Sequence, residues 1–236
     1  MLVRTILSLA IALLLVACDR RTSQTNRPPA NRPRPIPVVA GLVVLPCAET
    51  GSLRPHTAGY CLLQRHYVRA GPRAALVETA ETLQAQFPGT VVRFMEASWP
   101  TGKRPMPPHL SHGDGRQVDL ALFYRDREGR PLTRAPTRSG YGAYEPPLKN
   151  GSRRCTGATA RPAKIAAPDP PKDRAWRLDE VRTAALVRLL AAHPKVRRIF
   201  IEPHLKARLG LSSLRKVRFA GCKAARHDDH IHVDFF

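Results

Sequence analysis

Three of the nine histidines in this 236-residue chain fall in one short stretch, His227-Asp228-Asp229-His230-Ile231-His232, which runs on into the apolar positions Val233 and Phe235. If the stretch is a β-strand, side chains alternate with period two, so His230 and His232 share one face while Ile231 and Val233 take the other. The two imidazoles then lie roughly 7 Å apart, one placed to bind a metal and the other to handle a proton. A second group, His109-Leu110-Ser111-His112 followed by Asp119, completes a donor set. Catalytic zinc takes three protein ligands from His, Asp, Glu or Cys and keeps a fourth position for water or substrate. His112, Asp119 and His232 offer two imidazoles and one carboxylate. Bound zinc lowers the pKa of its water towards about 7, and His230 is then the group to take and return the proton. Each part also has a plainer reading. His109 and His227 are exposed loop residues in that reading, Asp119 is a polar strand residue facing solvent, and Asp114, Asp228 and Asp229 are turn or surface carboxylates. Asp234 shares the His230 face but lies too near the chain end to be expected as a ligand.

The elements that must hold these groups follow from periodicity. Apolar positions at Leu76, Val77, Ala80, Leu83 and Phe87 predict a helix over 74–87, stopped by Pro88-Gly89. Strands are predicted at 90–97, 117–124, 196–201 and 230–236, and a second helix at 176–192. The proline-rich loop after Pro100 delivers His109 and His112 to the 117–124 strand. Residues 125–174, rich in Pro, Gly and Arg, read as a long surface insertion, pinned in part by Cys155. Two helices among four or more strands, not in strict alternation, imply an α+β domain with a small, mainly antiparallel sheet and flanking helices.

The N-terminus bears on compartment. Arg4 precedes an apolar run from Ile6 to Val16 broken only by Ser8, too short to span a bilayer and suited to the core of a secretory signal. The run ends Leu15-Val16-Ala17-Cys18, which resembles the bacterial lipoprotein signal. The expected organisation is a signal peptide over 1–17, a lipidated Cys18 with a Pro/Arg-rich tether over 18–40, and a folded domain over 41–236. Asp19, directly after the cysteine, resembles the signal that favours retention in the inner membrane. A proline-rich tether extends by about 3.1 Å per residue, so some twenty residues reach roughly 60 Å. Cys47, Cys61, Cys155 and Cys222 form an even set in a compartment where disulfides persist, giving two bridges among three possible pairings. Cys47 and Cys61 are close enough to close a small loop. A bridge at Cys222 braces the His227–His232 stretch, and the lack of any Cys-x-x-Cys pair argues against thiolate zinc.

A net charge of +21, from 39 basic against 18 acidic residues, raises the question of nucleic acid. The basic residues are spread along the chain and aromatic content is only 6%, which does not build a stacking platform. An exported protein seldom meets nucleic acid, so the charge is read as adhesion to envelope polyanions.

Two motifs carry a family resemblance: His109-Leu-Ser-His112-Gly-Asp-Gly115-Arg-Gln-Val-Asp119 and His227-Asp-Asp-His230-Ile-His232-Val233. They resemble the penicillin-insensitive murein endopeptidases, LAS-type zinc metallopeptidases related to lysostaphin-type and D-Ala-D-Ala peptidases. Val196–Ile201, Pro203, Leu205-Lys206 and Leu214–Arg218 resemble the family's approach to its final strand. The resemblance covers roughly residues 75–124 and 176–236. It implies an LAS/hedgehog-like peptidase fold with one zinc ion on His112, Asp119 and His232, a catalytic His230, and His109 and His227 lining the site. The implied activity is hydrolysis of peptidoglycan cross-links, the D-Ala to meso-diaminopimelate bond foremost, by metal-activated water in the periplasm. A D,D-carboxypeptidase acting on stem peptides and a non-catalytic, zinc-stabilised peptidoglycan-binding module are the alternatives. Two departures from the family pattern stand out. Residues 125–175 contain no histidine, which argues against a second metal, and Gln117 replaces an aspartate usual two places before the liganding one.

Overall fold

The computed structural model describes residues 38–107, 109–148, 155 and 174–236. The expected signal peptide, Cys18, Asp19 and nearly all of the tether lie outside them. Strands β1 (Val38–Val39), β2 (Leu42–Val44) and β4 (Tyr67–Val68) form a small antiparallel sheet. The main sheet has six strands in the order β10 (Val217–Arg218), β9 (Val196–Phe200), β11 (His230–Phe235), β6 (Gln117–Ala121), β5 (Val92–Phe94) and β3 (Leu53–Pro55). Its four central strands pair antiparallel, while the two edge pairs, β3 with β5 and β9 with β10, are parallel. The fold is therefore mixed α+β, its larger sheet less uniformly antiparallel than the sequence suggests.

Alternation along the central pair sets the layout. Ile231, Val233 and Phe235 of β11 and Val118 and Leu120 of β6 are buried in the core, which leaves His230, His232, Asp234, Gln117 and Asp119 to the opposite face. Helices α2 (Ala70–Gln86) and α3 (Glu180–Ala192) pack against each other. Leu76, Ala80 and Leu83 of α2 and Leu186, Val187 and Leu190 of α3 join the same core. Among the described residues two shorter helices, α1 (Gly59–Leu62) and α4 (Pro203–Arg208), are also present.

Several boundaries differ from the sequence reading. Helix α2 begins four residues before Ala74, because Pro72 falls in its first turn, where a missing N–H costs nothing. Helix α3 begins after Asp179, whose carboxylate accepts from the Arg182 backbone N–H at 3.1 Å as an N-cap. Trp176–Leu178 is instead strand β8, paired antiparallel with β7 (Tyr124–Asp126). The predicted 117–124 strand thus ends at Ala121, and Leu122 and Phe123 separate it from β7.

The described part of the 125–174 insertion is not merely surface. Ala135, Ala143 and Glu145 are buried, and Tyr124 donates through Oη to the Ala143 carbonyl at 2.7 Å. Cys47 pairs with Cys61 and Cys155 with Cys222. Two disulfides fit an oxidising extracellular or periplasmic compartment. Among the described residues no helix is long and apolar enough to cross a membrane.

Candidate metal centre

Asp119 and His232 are direct register partners on β6 and β11, so their side chains meet on the polar face of the central sheet. The Asp119 backbone is locked as well, its N–H donating to the Glu96 carbonyl and its carbonyl accepting from the Met95 N–H, both at 2.8 Å. His112 arrives from the loop before β6. That loop turns tightly at Gly115, where φ is +77° and a Cβ would lie 2.9 Å from the Arg69 nitrogen and 2.5 Å from Leu42 Cδ2, so no other residue fits without a shift.

Three ligand atoms converge there. His112 Nε2 is 3.3 Å from Asp119 Oδ1 and 3.2 Å from His232 Nδ1, and His232 Nδ1 is 2.8 Å from the same Asp119 oxygen. The donor edges of a tetrahedral site with bonds of 2.0–2.1 Å are about 3.3 Å long. The three groups are almost wholly buried. The orientation of His112 agrees: Nδ1 donates to the Ala97 carbonyl at 2.8 Å, which turns Nε2 to the Asp119 carboxylate, a contact that a proton or a metal cation between the two satisfies. The donors thus fit a divalent ion of the zinc type.

His109 joins the cluster from the other side. It forms a possible ligand group with His112 and Asp119, but its Nδ1 lies 3.6 Å from Asp119 Oδ2, not Oδ1. The tighter triangle is the one containing His232. Cys47, Cys61 and His66 also lie close together, yet both thiols are consumed in a disulfide and offer no thiolate to a metal.

No family model and no curated protein matches the chain. The chemistry of the centre stands on its own side chains.

His230 sits beside the triangle with Nε2 3.8 Å from Asp119 Oδ1. Its Nδ1–H donates to Asp229 Oδ1 at 2.5 Å, which fixes the ring and turns Nε2 towards the centre. Burial disfavours its charged form, but the Asp229 and Asp119 carboxylates outweigh burial and raise its pKa to about 9 in the metal-free protein. His109 moves the other way, to about 4, through burial and the neighbouring imidazoles. Burial works against the Asp119 carboxylate, yet His112 and His230 hold it well below the ordinary range. His227 packs against His230 and His232, with ring centroids 4.9 and 5.7 Å away. Both His109 and His227 therefore stand at the site, and His227 is buried rather than exposed on a loop.

The remaining acids are sorted by their partners. Asp114 is a turn carboxylate that accepts from the Arg116 N–H. Asp228 and Asp229 are buried, not on the surface: Asp228 pairs with Arg226, and Asp229 orients His230. Asp234 accepts from Gln117 Nε2 at 2.8 Å and pairs with Arg197 and Arg198. An aspartate at 117 would confront Asp234 across the strands, whereas the amide donates to it, which explains physically why glutamine suits this chain.

Tyr141 escaped the sequence reading. It comes from the insertion, and its hydroxyl donates to Asp119 Oδ2 at 2.6 Å. Its ring lies 5.3 Å from His109 and 5.0 Å from His230. Together with His109 it borders a cleft of about 800 Å³ that Glu96 and Arg138 also line. No periodic pattern surrounds Tyr141; the flanking Gly140 and Gly142 are its sole local signal.

Proposed function

We propose that the chain is a zinc-dependent murein endopeptidase of the penicillin-insensitive type, lipid-anchored through Cys18 in the periplasm and cutting the D-Ala to meso-diaminopimelate cross-link. The observation that carries the reading is the convergence of His112 Nε2, Asp119 Oδ1 and His232 Nδ1 within 3.3 Å of one another, with His230 alongside. These three residues would hold the ion. When bound, zinc supplies Lewis acidity and an activated water.

The other residues account for proton handling and substrate binding. His230 Nε2 faces the centre and takes a proton there, and Asp229 stabilises the resulting imidazolium through Nδ1. The same nitrogen returns the proton to the leaving amine. The cleft beside His109 and Tyr141 is large enough for a branched peptide. A pure binding module needs no oriented proton carrier, so the buried Asp229–His230 pair favours an enzyme.

Digestion of purified cross-linked peptidoglycan dimers, with products read by mass, tests the reading. Chelator-sensitive conversion of dimers to monomers is expected, and penicillin should neither acylate nor inhibit the protein. Release of free D-Ala with cross-links intact would make it a carboxypeptidase. No cleavage by folded, zinc-loaded protein would leave a binding module.

A further inference from the structure

We propose that Tyr141 is a positioning residue of the metal centre, whose hydroxyl holds one oxygen of Asp119 so that the other alone faces the ion. The inference rests on the metal reading above and extends it to the insertion. A carboxylate can offer both oxygens to a cation, and a hydrogen bond to one of them selects the other. Asp119 is wholly buried. Its Oδ1 faces His112 and His232, and its Oδ2 accepts from Tyr141 Oη at 2.6 Å. Rotation of the carboxylate would break that bond and leave a buried Asp119 oxygen without its donor, which costs more than losing a bond between solvated groups.

The phenol is itself held in place from both sides along the chain. Gly140 lies at φ +92°, so close to Met95 that a Cβ would stand 2.1 Å from its sulfur. Gly142 donates its N–H to Asp229 Oδ2 at 2.6 Å, and the Glu145 N–H donates to the Asp228 carbonyl at 2.7 Å. One short segment thereby grips both the carboxylate of the ligand set and the carboxylate behind His230.

The test uses the full chain with zinc and cobalt(II) as probes. Tyr141→Phe should lower zinc affinity about 10- to 100-fold in competition with a chromophoric chelator. Its cobalt(II) form should show weaker, shifted visible bands as the second carboxylate oxygen joins the ion. Tyr124→Phe removes a different anchor of the same segment, the bond to the Ala143 carbonyl, and should leave both readings unchanged. Tyr141→Leu, which also lacks the hydroxyl, serves if the phenylalanine variant does not fold. Wild-type affinity and spectrum in the Tyr141 variants would overturn the proposal. An equal loss in Tyr124→Phe would overturn it too, by tracing the effect to loop packing. Wild-type protein that takes up no zinc would fail before any substitution and would remove the metal reading as well.

Discussion

Strands β6 and β11 and the segment 139–145 reach the same carboxylate by different means. The strands present Asp119 and His232 as register partners, so ladder geometry alone brings them together. The segment contains no helix or strand residue, and its reach depends on individual bonds: Tyr141 to Asp119, Gly142 to Asp229, and Ala143 to Tyr124. The lesson is that a sheet fixes which atoms can meet, while an irregular segment fixes how one of them is oriented.

The largest effects should come from the strands. Asp119→Ala removes the atom on which both imidazoles converge, and zinc affinity should fall by ~100-fold or more, beyond the range for an outer partner. Elemental analysis after dialysis checks this, and retention of zinc would show that the β6–β11 pair is not the centre. His230→Ala should leave zinc content unchanged while slowing cleavage of cross-linked dimers by ~10²- to 10⁴-fold, the range for loss of a general acid–base. Loss of zinc in that variant would instead make His230 a ligand.

This contrast also explains what could be read in the sequence. The period-two run Ile231, Val233, Phe235 announced β11 and, with it, the shared face of His230 and His232. The apolar spacing of Leu76, Ala80 and Leu83 announced α2, though not its start at Ala70. The start of α3 was misplaced because Trp176 and Leu178 continue the apolar pattern across Asp179, and the cap that separates them is a single hydrogen bond. Tyr141 is hidden because it meets Asp119 across 22 positions of chain with no periodicity to mark the contact, and Asp229, although it is the neighbour of His230, orients that ring through a side-chain geometry that residue spacing does not display. The small β1–β2–β4 sheet was missed because its strands are two or three residues long, too short for alternation to register.

The disulfides sharpen the comparison at the level of stability. Cys155–Cys222 spans 67 residues and ties the insertion to the segment ahead of β11, whereas Cys47–Cys61 spans 14. On the chain-entropy model these closures are worth ~4 and ~3 kcal/mol. Replacing both cysteines of the longer bridge by serine should therefore lower the urea-unfolding free energy by ~1 kcal/mol more than replacing both of the shorter one. The reverse order would mean that the insertion contributes little to the folded domain.

Asp234 provides the smallest and most discriminating effect, because it shares the polar face of β11 but meets arginines instead of the centre. Burial raises its pKa, yet Arg198, Gln117 and Arg197 outweigh burial and hold it below the ordinary range. A carboxyl whose folded pKa is depressed binds fewer protons folded than unfolded, so its contribution is complete above the unfolded value of about 3.9 and is lost as pH falls through the folded one. Asp234→Asn should cost ~1 kcal/mol at neutral pH, the upper end for exposed pairs; the arginine side chains, 42% and 37% exposed, return readily to water. The deficit should shrink as pH falls below about 4, where the unfolded carboxyl takes up its proton, and vanish only when the folded carboxyl is protonated at lower pH. Denaturant unfolding at pH 7 and pH 3 measures both terms. Zinc affinity should not change, since neither oxygen of Asp234 contacts His112, Asp119 or His232 among its hydrogen bonds and ion pairs. If Asp234→Asn weakens zinc as much as Tyr141→Phe does, the polar face of β11 acts as one coupled unit, and the division between ladder geometry and loop orientation fails.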